Sequence, residues 1–185
     1  MRSVFFLLLL LLFACSPKKD RVIPLLFKRI ASCPDQLKQQ NHKLCNTLFF
    51  TGPELDTARM EIQAPCDCCA GYLCFVNDTL FVHESLCLEE DRYSKGNYVR
   101  LGNTLILKVT SPSVSHVHEP GFEVIESWEI NPHKTNYVAL QVSELRGKTV
   151  LSLSYEGETD YGLEQEKGSF VSELKKEGVW RKLGL

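Results

Sequence analysis

The chain of 185 residues is long enough for one domain with a substantial core, since 44% of its residues are hydrophobic. Its 21 Lys and Arg residues nearly balance its 23 Asp and Glu residues, which gives a formal net charge of -2 at pH 7. This balance excludes the strong positive field with which proteins attract nucleic acid, so no nucleic-acid partner is expected.

A short apolar segment at the N-terminus ends at a cysteine. Arg2 precedes an apolar run over residues 4–13, which suits the core of a signal peptide and falls short of the about 20 apolar residues of a membrane-spanning helix. The run closes with Leu-Phe-Ala-Cys at residues 12–15. This tetrapeptide resembles the lipobox of bacterial lipoproteins, although Phe13 stands at a position that is usually small.

The lipobox resemblance implies where in the cell the protein is located. It implies that residues 1–14 are a signal peptide, that Cys15 is acylated, and that residues 15–31 are a lipidated tether. Two or three acyl chains anchor a protein essentially permanently, because each buried methylene contributes roughly 0.8 kcal/mol. We therefore expect a bacterial cell-envelope protein that is membrane-bound through Cys15, in the outer membrane where the envelope has two membranes.

The other cysteines predict a covalent framework. Exported proteins meet conditions in which disulfides persist, so pairing is the first interpretation. Their number is odd, and at least one thiol is left over. The disulfide candidates are Cys33, Cys45, Cys66, Cys68, Cys69, Cys74 and Cys87.

Residues 32–44 are predicted to form a helix. Ser32 is a candidate N-cap, Pro34 falls in the first turn, and good helix formers follow. On one continuous helix Cys33 and Cys45 would lie about 18 Å apart, beyond the roughly 7 Å that a disulfide tolerates. We therefore expect both to pair with the later cysteines.

From about Leu55 the hydrophobic pattern alternates, which predicts antiparallel β-structure. Tight hairpin turns are expected at Asn77-Asp78 and at Gly102-Asn103, whose residue types adopt positive φ readily. The eight predicted strands cover residues 57–64, 71–76, 79–84, 97–101, 104–110, 121–130, 136–143 and 148–155. Their clearest apolar faces comprise Phe122, Val124, Trp128 and Ile130, interrupted by Glu126, then Val138, Leu140 and Val142, then Leu151, Leu153 and Tyr155.

A second helix is predicted near the C-terminus, over residues 169–177. Ser169 is its candidate cap, and Gly178 stands beyond its end. Phe170, Val171 and Leu174 form one apolar stripe, which we expect to pack on the sheet.

These elements predict a mainly β fold, an antiparallel up-and-down barrel or sandwich of about eight strands with a short N-terminal helix and a C-terminal helix. The helical segment would cover residues 32–54 and the β-domain residues 55–185. Residues 96–107, a Gly-x-Tyr strand turning into a Thr-Leu-x-Leu strand, resemble a hairpin of lipocalin-like bacterial lipoproteins. The resemblance implies a barrel with an apolar ligand pocket, although the early Gly-x-Trp signature of lipocalins is absent.

A metal site is the alternative interpretation of the cysteine cluster. His116 and His118 would lie about 7 Å apart on one side of an extended segment, and Cys66, Cys68, Cys69 and Cys74 could gather thiolates around zinc or copper. Structural zinc sites generally separate both cysteine pairs by two to four residues, whereas Cys66 and Cys68 are separated by one. Disulfides are therefore favoured, and no cofactor is expected.

Catalytic motifs are absent from the sequence. We find no nucleophile elbow, zinc-protease helix, phosphate-binding glycine loop or dinucleotide fingerprint. The glutamates at positions 156, 158, 164 and 166 could include a catalytic carboxylate pair of the kind that glycosidases use. Their density in a Gly-containing stretch favours a solvated surface instead. The sequence thus predicts a non-enzymatic binding or structural module for a small apolar ligand or another envelope component. A metal-handling lipoprotein and an envelope enzyme are the alternatives.

Overall fold

The computed structural model describes residues 23–24, 27–28, 43–65, 70–86, 90–111, 113–117, 127–128, 137–155 and 157–185. The strands in these ranges are β1 (Thr47–Gly52), β2 (Glu54–Asp56), β3 (Glu61–Gln63), β4 (Ala70–Phe75), β5 (Leu80–Leu86), β6 (Glu90–Leu101), β7 (Thr104–Val109), β8 (Ser113–Val117), β9 (Ser127–Trp128), β10 (Tyr137–Leu145), β11 (Lys148–Tyr155) and β12 (Glu158–Gln165). The helices are α1 (Phe170–Lys176) and α2 (Val179–Lys182).

Eight of the strands close an antiparallel up-and-down barrel. β1, β4, β5, β6, β7, β10, β11 and β12 follow one another around it in chain order, and β12 returns to pair with β1. Closure leaves no unpaired edge among these strands, which an open sheet would expose. The prediction of a mainly β, antiparallel barrel is confirmed. β8 and β9 extend the sheet beside the long strand β6, and β2 and β3 form a separate hairpin.

Side chains alternate between the inside of the barrel and its outer wall, as the two-residue period of strands requires. The predicted face of β10 is confirmed, since Leu140 and Val142 are buried inside. On β11, Leu151 is buried in the same cluster and Leu153 packs against it. Residues 122, 124, 126 and 130 and the side chains of Trp128 and Tyr155 lie outside the described residues.

The two C-terminal helices pack on the outer wall. Phe170 and Leu174 are buried with Val82 and Tyr93 of β5 and β6, and Val171 packs against the same cluster. α1 begins after Ser169, and Gly178 follows with a φ of 77°. Both the predicted C-terminal helix and its apolar stripe are therefore confirmed.

The strands that close the barrel differ from the sequence prediction. β1 falls within residues 32–54, which were expected to be helical, and β12 falls in the glutamate-rich stretch expected to be solvated surface. Pairing with a neighbour on each side overrides their weak local pattern. Residues 57–60, predicted as strand, instead form the turn between β2 and β3. Of the predicted N-terminal helix, residues 32–42 lie outside the described residues, and Lys43 and Leu44 are in a turn.

Both predicted hairpins form, but only one uses positive φ. Gly102 has a φ of 58°, whereas the other three predicted turn residues are not in the left-handed region. The β4–β5 turn forms without a positive φ. The Asn77 side chain stabilises it, because its Oδ1 accepts hydrogen bonds of 2.9 Å from the backbone N–H groups of Thr79 and Leu80.

The described part of the N-terminal segment contacts the outer wall on the side of β6, β7 and β10. Phe27 is buried against Val99 and Ile106, and its ring meets that of Tyr137 edge-on at 5.5 Å. Within the described ranges, no helix combines the length and apolar character needed to cross a bilayer. The predicted signal peptide and Cys15 lie outside the described residues.

Candidate functional site

One end of the barrel is filled, and the other contains a cavity. At the filled end, the ring of Phe75 meets those of Phe49 and Tyr98 at centroid distances of 5.7 and 4.6 Å, and Leu44 is buried in the same cluster. At the other end lies a cavity of about 450 Å³, which we call the barrel cavity. This volume is within the range of small-molecule sites, roughly 300–1,000 Å³.

Aliphatic and aromatic side chains form most of the wall of the barrel cavity. They come from β4, β5, β7, β10 and β11, all from positions that alternate inward. Leu73, Phe81, Leu107, Leu140 and Leu151 are buried, and Leu153 packs against them nearer the mouth. Such a wall favours a ligand that brings apolar surface out of water.

Small residues leave the space open. Gly162 of β12 pairs with Leu151 on one side and with Thr51 on the other. A Cβ atom at Gly162 would lie 3.3 Å from Leu151 Cβ and 3.4 Å from Thr51 Cγ2, so a side chain here would enter the cavity. The cavity thus depends on inward positions at which the strands carry little or no side chain.

Three of the polar side chains that line the barrel cavity lie together on one part of its wall, whereas Thr51, Asp160 and Tyr161 line it from β1 and β12. His83 of β5 is directly opposite Ser94 of β6 in the strand register, and Ser85 lies two residues further along β5 on the same face. Burial lowers the pKa of His83, so its imidazole is neutral near pH 7. This wall therefore offers hydrogen-bond donors and acceptors without a fixed charge.

A single carboxylate lies at the cavity mouth. Asp160 of β12 is opposite Leu153 of β11 and is half-buried. None of the described residues that line the cavity is a lysine or an arginine. Among the described lining residues, Asp160 is therefore the one carboxylate and no lysine or arginine faces it.

A second cavity, of about 750 Å³, lies outside the barrel, between its wall and α1, and is called here the outer groove. The aromatic side chains of Phe50, Tyr72, Tyr93 and Phe170 line part of it. Its carboxylates are Glu61, Glu84, Asp91, Glu166, Glu173 and Glu177, and Lys167 also lines it. Sequence analysis identified neither Glu84 nor Asp91, because a charged residue on the outer face of a strand is normally solvated and gives no signal of burial.

Glu84 has an unusual environment in the outer groove. It is 8% exposed, and burial raises the pKa of its carboxyl to about 7. The hydrogen bond from Tyr93 opposes this shift, while the negative charges of Asp91 and Glu177 add to it. The pKa of Tyr93 is raised in turn, chiefly by burial and then by Glu84. Glu84 is therefore held partly protonated near neutral pH.

Two of the disulfide candidates carry free thiols in the structure. Cys74 is buried on the outer face of β4, where burial raises the pKa of its thiol to about 11. Cys45 is half-buried, and burial together with Asp78 raises the pKa of its thiol. The structure therefore shows no disulfide at either of these two candidate positions. Cys15, Cys33, Cys66, Cys68, Cys69 and Cys87 lie outside the described residues.

The candidate metal ligands are not brought together in the described part of the chain. There, no group of three or more His, Cys, Asp or Glu side chains is placed to hold a metal ion. His116 lies in β8 opposite Asp91 in the register, but its side chain and His118 are outside the described residues. Cys66, Cys68 and Cys69 are outside them as well.

Of the glutamates considered as a carboxylate pair, the described ones lie in different surroundings. Glu158 is exposed at the start of β12, whereas Glu164 accepts a hydrogen bond of 3.2 Å from the backbone N–H of Thr149 near the filled end. Glu166 is exposed beside the outer groove, and Glu156 lies outside the described residues.

Comparison with known proteins supports the fold alone. No family model matches the chain, and no curated protein matches it. Among solved structures, a streptavidin-like protein from Bacteroides eggerthii superposes with a TM-score of 0.51 at 10% sequence identity, over 75% of this chain and 95% of that one. The chain is therefore similar in fold to a streptavidin-like barrel.

Proposed function

We propose that this protein is a lipid-anchored bacterial envelope lipoprotein that binds a small, mainly apolar molecule inside its barrel and catalyses no reaction. The observation that carries the proposal is the barrel cavity of about 450 Å³, which lies above a filled core and has a largely aliphatic wall. A cavity already formed in the folded chain removes part of the ordering cost of binding.

The wall of the barrel cavity supplies a favourable hydrophobic contribution to binding. Apolar surface removed from water contributes roughly 25 cal/mol per Å², so a ligand that buries about 200 Å² gains about 5 kcal/mol. Neutral polar groups at His83 and Ser94 can fix the orientation of that ligand. The closed eight-stranded barrel, similar in fold to a streptavidin-like protein, supports this kind of module, since a barrel of this size can hold one small ligand.

The location rests on the N-terminal sequence. The apolar run and the residues Leu-Phe-Ala-Cys at 12–15 support acylation of Cys15. In that position the barrel would stay near a membrane, a source of apolar molecules. Mass spectrometry of protein from its own cells should find an acylated N-terminal Cys15, and Cys15→Ser should move the protein to the soluble fraction. An intact Met1 with unmodified Cys15 would contradict the anchor.

Binding itself can be tested with Nile red, an uncharged dye that fluoresces in apolar surroundings. The protein should bind it saturably at one site. Leu153→Trp should weaken binding at least tenfold, because the indole would fill the mouth of the cavity. Ser152→Trp is the matched control, since its neighbours Leu151 and Leu153 face inward and alternation places residue 152 on the outer wall. Equal binding by the two variants would place the dye elsewhere and contradict the proposal.

A further inference from the structure

The distribution of polar groups in the barrel cavity indicates the class of ligand, an inference that rests on the proposed function. In a closed barrel of eight strands, strands four positions apart face each other across the interior. β5 therefore faces β11, and β6 faces β12. His83 and Ser85 lie on β5, with Ser94 beside them on β6, whereas Leu151 and Leu153 lie on the opposite wall.

This arrangement suits a molecule with one polar end. Its hydrogen-bonding group would meet the neutral imidazole of His83 and the hydroxyl groups of Ser85 and Ser94. Its hydrocarbon part would lie against Leu140 and Leu151, both buried in the core cluster. Serine hydroxyl groups both donate and accept, so an alcohol or an amide would be satisfied equally well.

The same arrangement opposes an anion. A carboxylate buried without a cationic partner loses its hydration with no compensation. The described lining residues provide neither lysine nor arginine, and Asp160 adds a negative charge at the mouth. An ammonium group could approach Asp160, but it would then lie away from the polar wall on β5 and β6.

We infer that the barrel cavity selects uncharged amphiphiles, molecules with a hydroxyl or amide end and a hydrocarbon body, and that Asp160 contributes to the rejection of carboxylates. The polar end lies on His83 and Ser94, and the hydrocarbon body lies against the leucines of β10 and β11. The cavity thus distinguishes ligands by the charge at their polar end.

The experiment compares three compounds of equal chain length in displacement of bound Nile red at neutral pH: octan-1-ol, octanoate and octylamine. Octan-1-ol should displace the dye at a concentration at least tenfold lower than either ionised compound. Asp160→Asn should improve the binding of octanoate several-fold relative to that of octan-1-ol. His83→Leu should weaken the binding of octan-1-ol about tenfold. Nile red binding to the same variant shows whether the cavity is intact.

The outcomes separate this inference from the proposed function. If Nile red binds and Leu153→Trp blocks it, but octanoate competes as well as octan-1-ol, the ligand class is wrong and the binding function stands. Tighter binding of octylamine would also overturn it, since Asp160 would then be an ion-pair partner. Absence of saturable Nile red binding would overturn the proposed function and this inference with it.

Discussion

The hydroxyl group of Tyr98 donates a hydrogen bond of 2.7 Å to the backbone carbonyl of Asn77. Tyr98 is 1% exposed inside the filled end of the barrel, and Asn77 lies in the turn between β4 and β5. This bond therefore holds the turn between β4 and β5 against a core residue of the neighbouring strand β6. The bond also pairs a buried phenol hydroxyl with a backbone carbonyl, as buried tyrosines usually require.

Tyr98→Phe should lower the free energy of unfolding by about 1 kcal/mol, the net value of a typical buried hydrogen bond. The ring contact with Phe75 is preserved, so the loss reports the hydroxyl group. Urea unfolding measures the difference. Tyr137→Phe is the control, because the ring of Tyr137 contacts Phe27 on the outer wall. An equal loss in both variants would show that the Tyr98 bond has no special role.

Local sequence pattern was sufficient for the strands whose faces are strongly apolar. β10 and β11 alternate without interruption, so Val142 and Leu151 were placed correctly on the inner face. β12 was missed because Gly162 and Asp160 take inward positions that usually carry apolar side chains. Those two residues help to form the barrel cavity and its mouth. The features that obscured the strand in the sequence are thus the ones that open the site.

The candidate site was only partly accessible from sequence. An apolar pocket followed from the barrel prediction, but the residues that line it depend on which strands become neighbours. His83 and Ser94 are eleven positions apart in the chain and meet only through the β5–β6 register. Likewise, Glu84 is buried by α1, an element far from it in sequence. Tertiary contacts of this kind leave no local pattern.

Glycine is required at position 96, where β6 pairs with β7. A Cβ atom at this position would lie 2.0 Å from the carbonyl oxygen of Lys108 and 2.7 Å from the ring of Phe81. Gly96→Ala should therefore destabilise the barrel by about 3 kcal/mol, since neither neighbour can move freely. Gly102→Ala is the matched control, with no atom within 4 Å but a φ of +58°. It should cost about 1 kcal/mol. Equal thermal stability of the two variants would contradict the packing argument.

Glu84 should make the protein less stable as the pH rises through the range from about 4.5 to about 7. Its carboxyl has a higher pKa in the folded chain than in the unfolded one, so the folded state binds more protons in this range and stability falls with pH. Glu84→Gln removes the buried charge and retains an acceptor for the Tyr93 hydroxyl.

The variant should therefore be more stable than the wild type above about pH 7, by about 3 kcal/mol at roughly 1.4 kcal/mol per pH unit, and nearly equal to it below about pH 4. Glu158→Gln, at an exposed position on β12, is the matched control. Chemical unfolding across the pH range provides the measurement. A constant difference between wild type and Glu84→Gln would show that the carboxyl titrates normally.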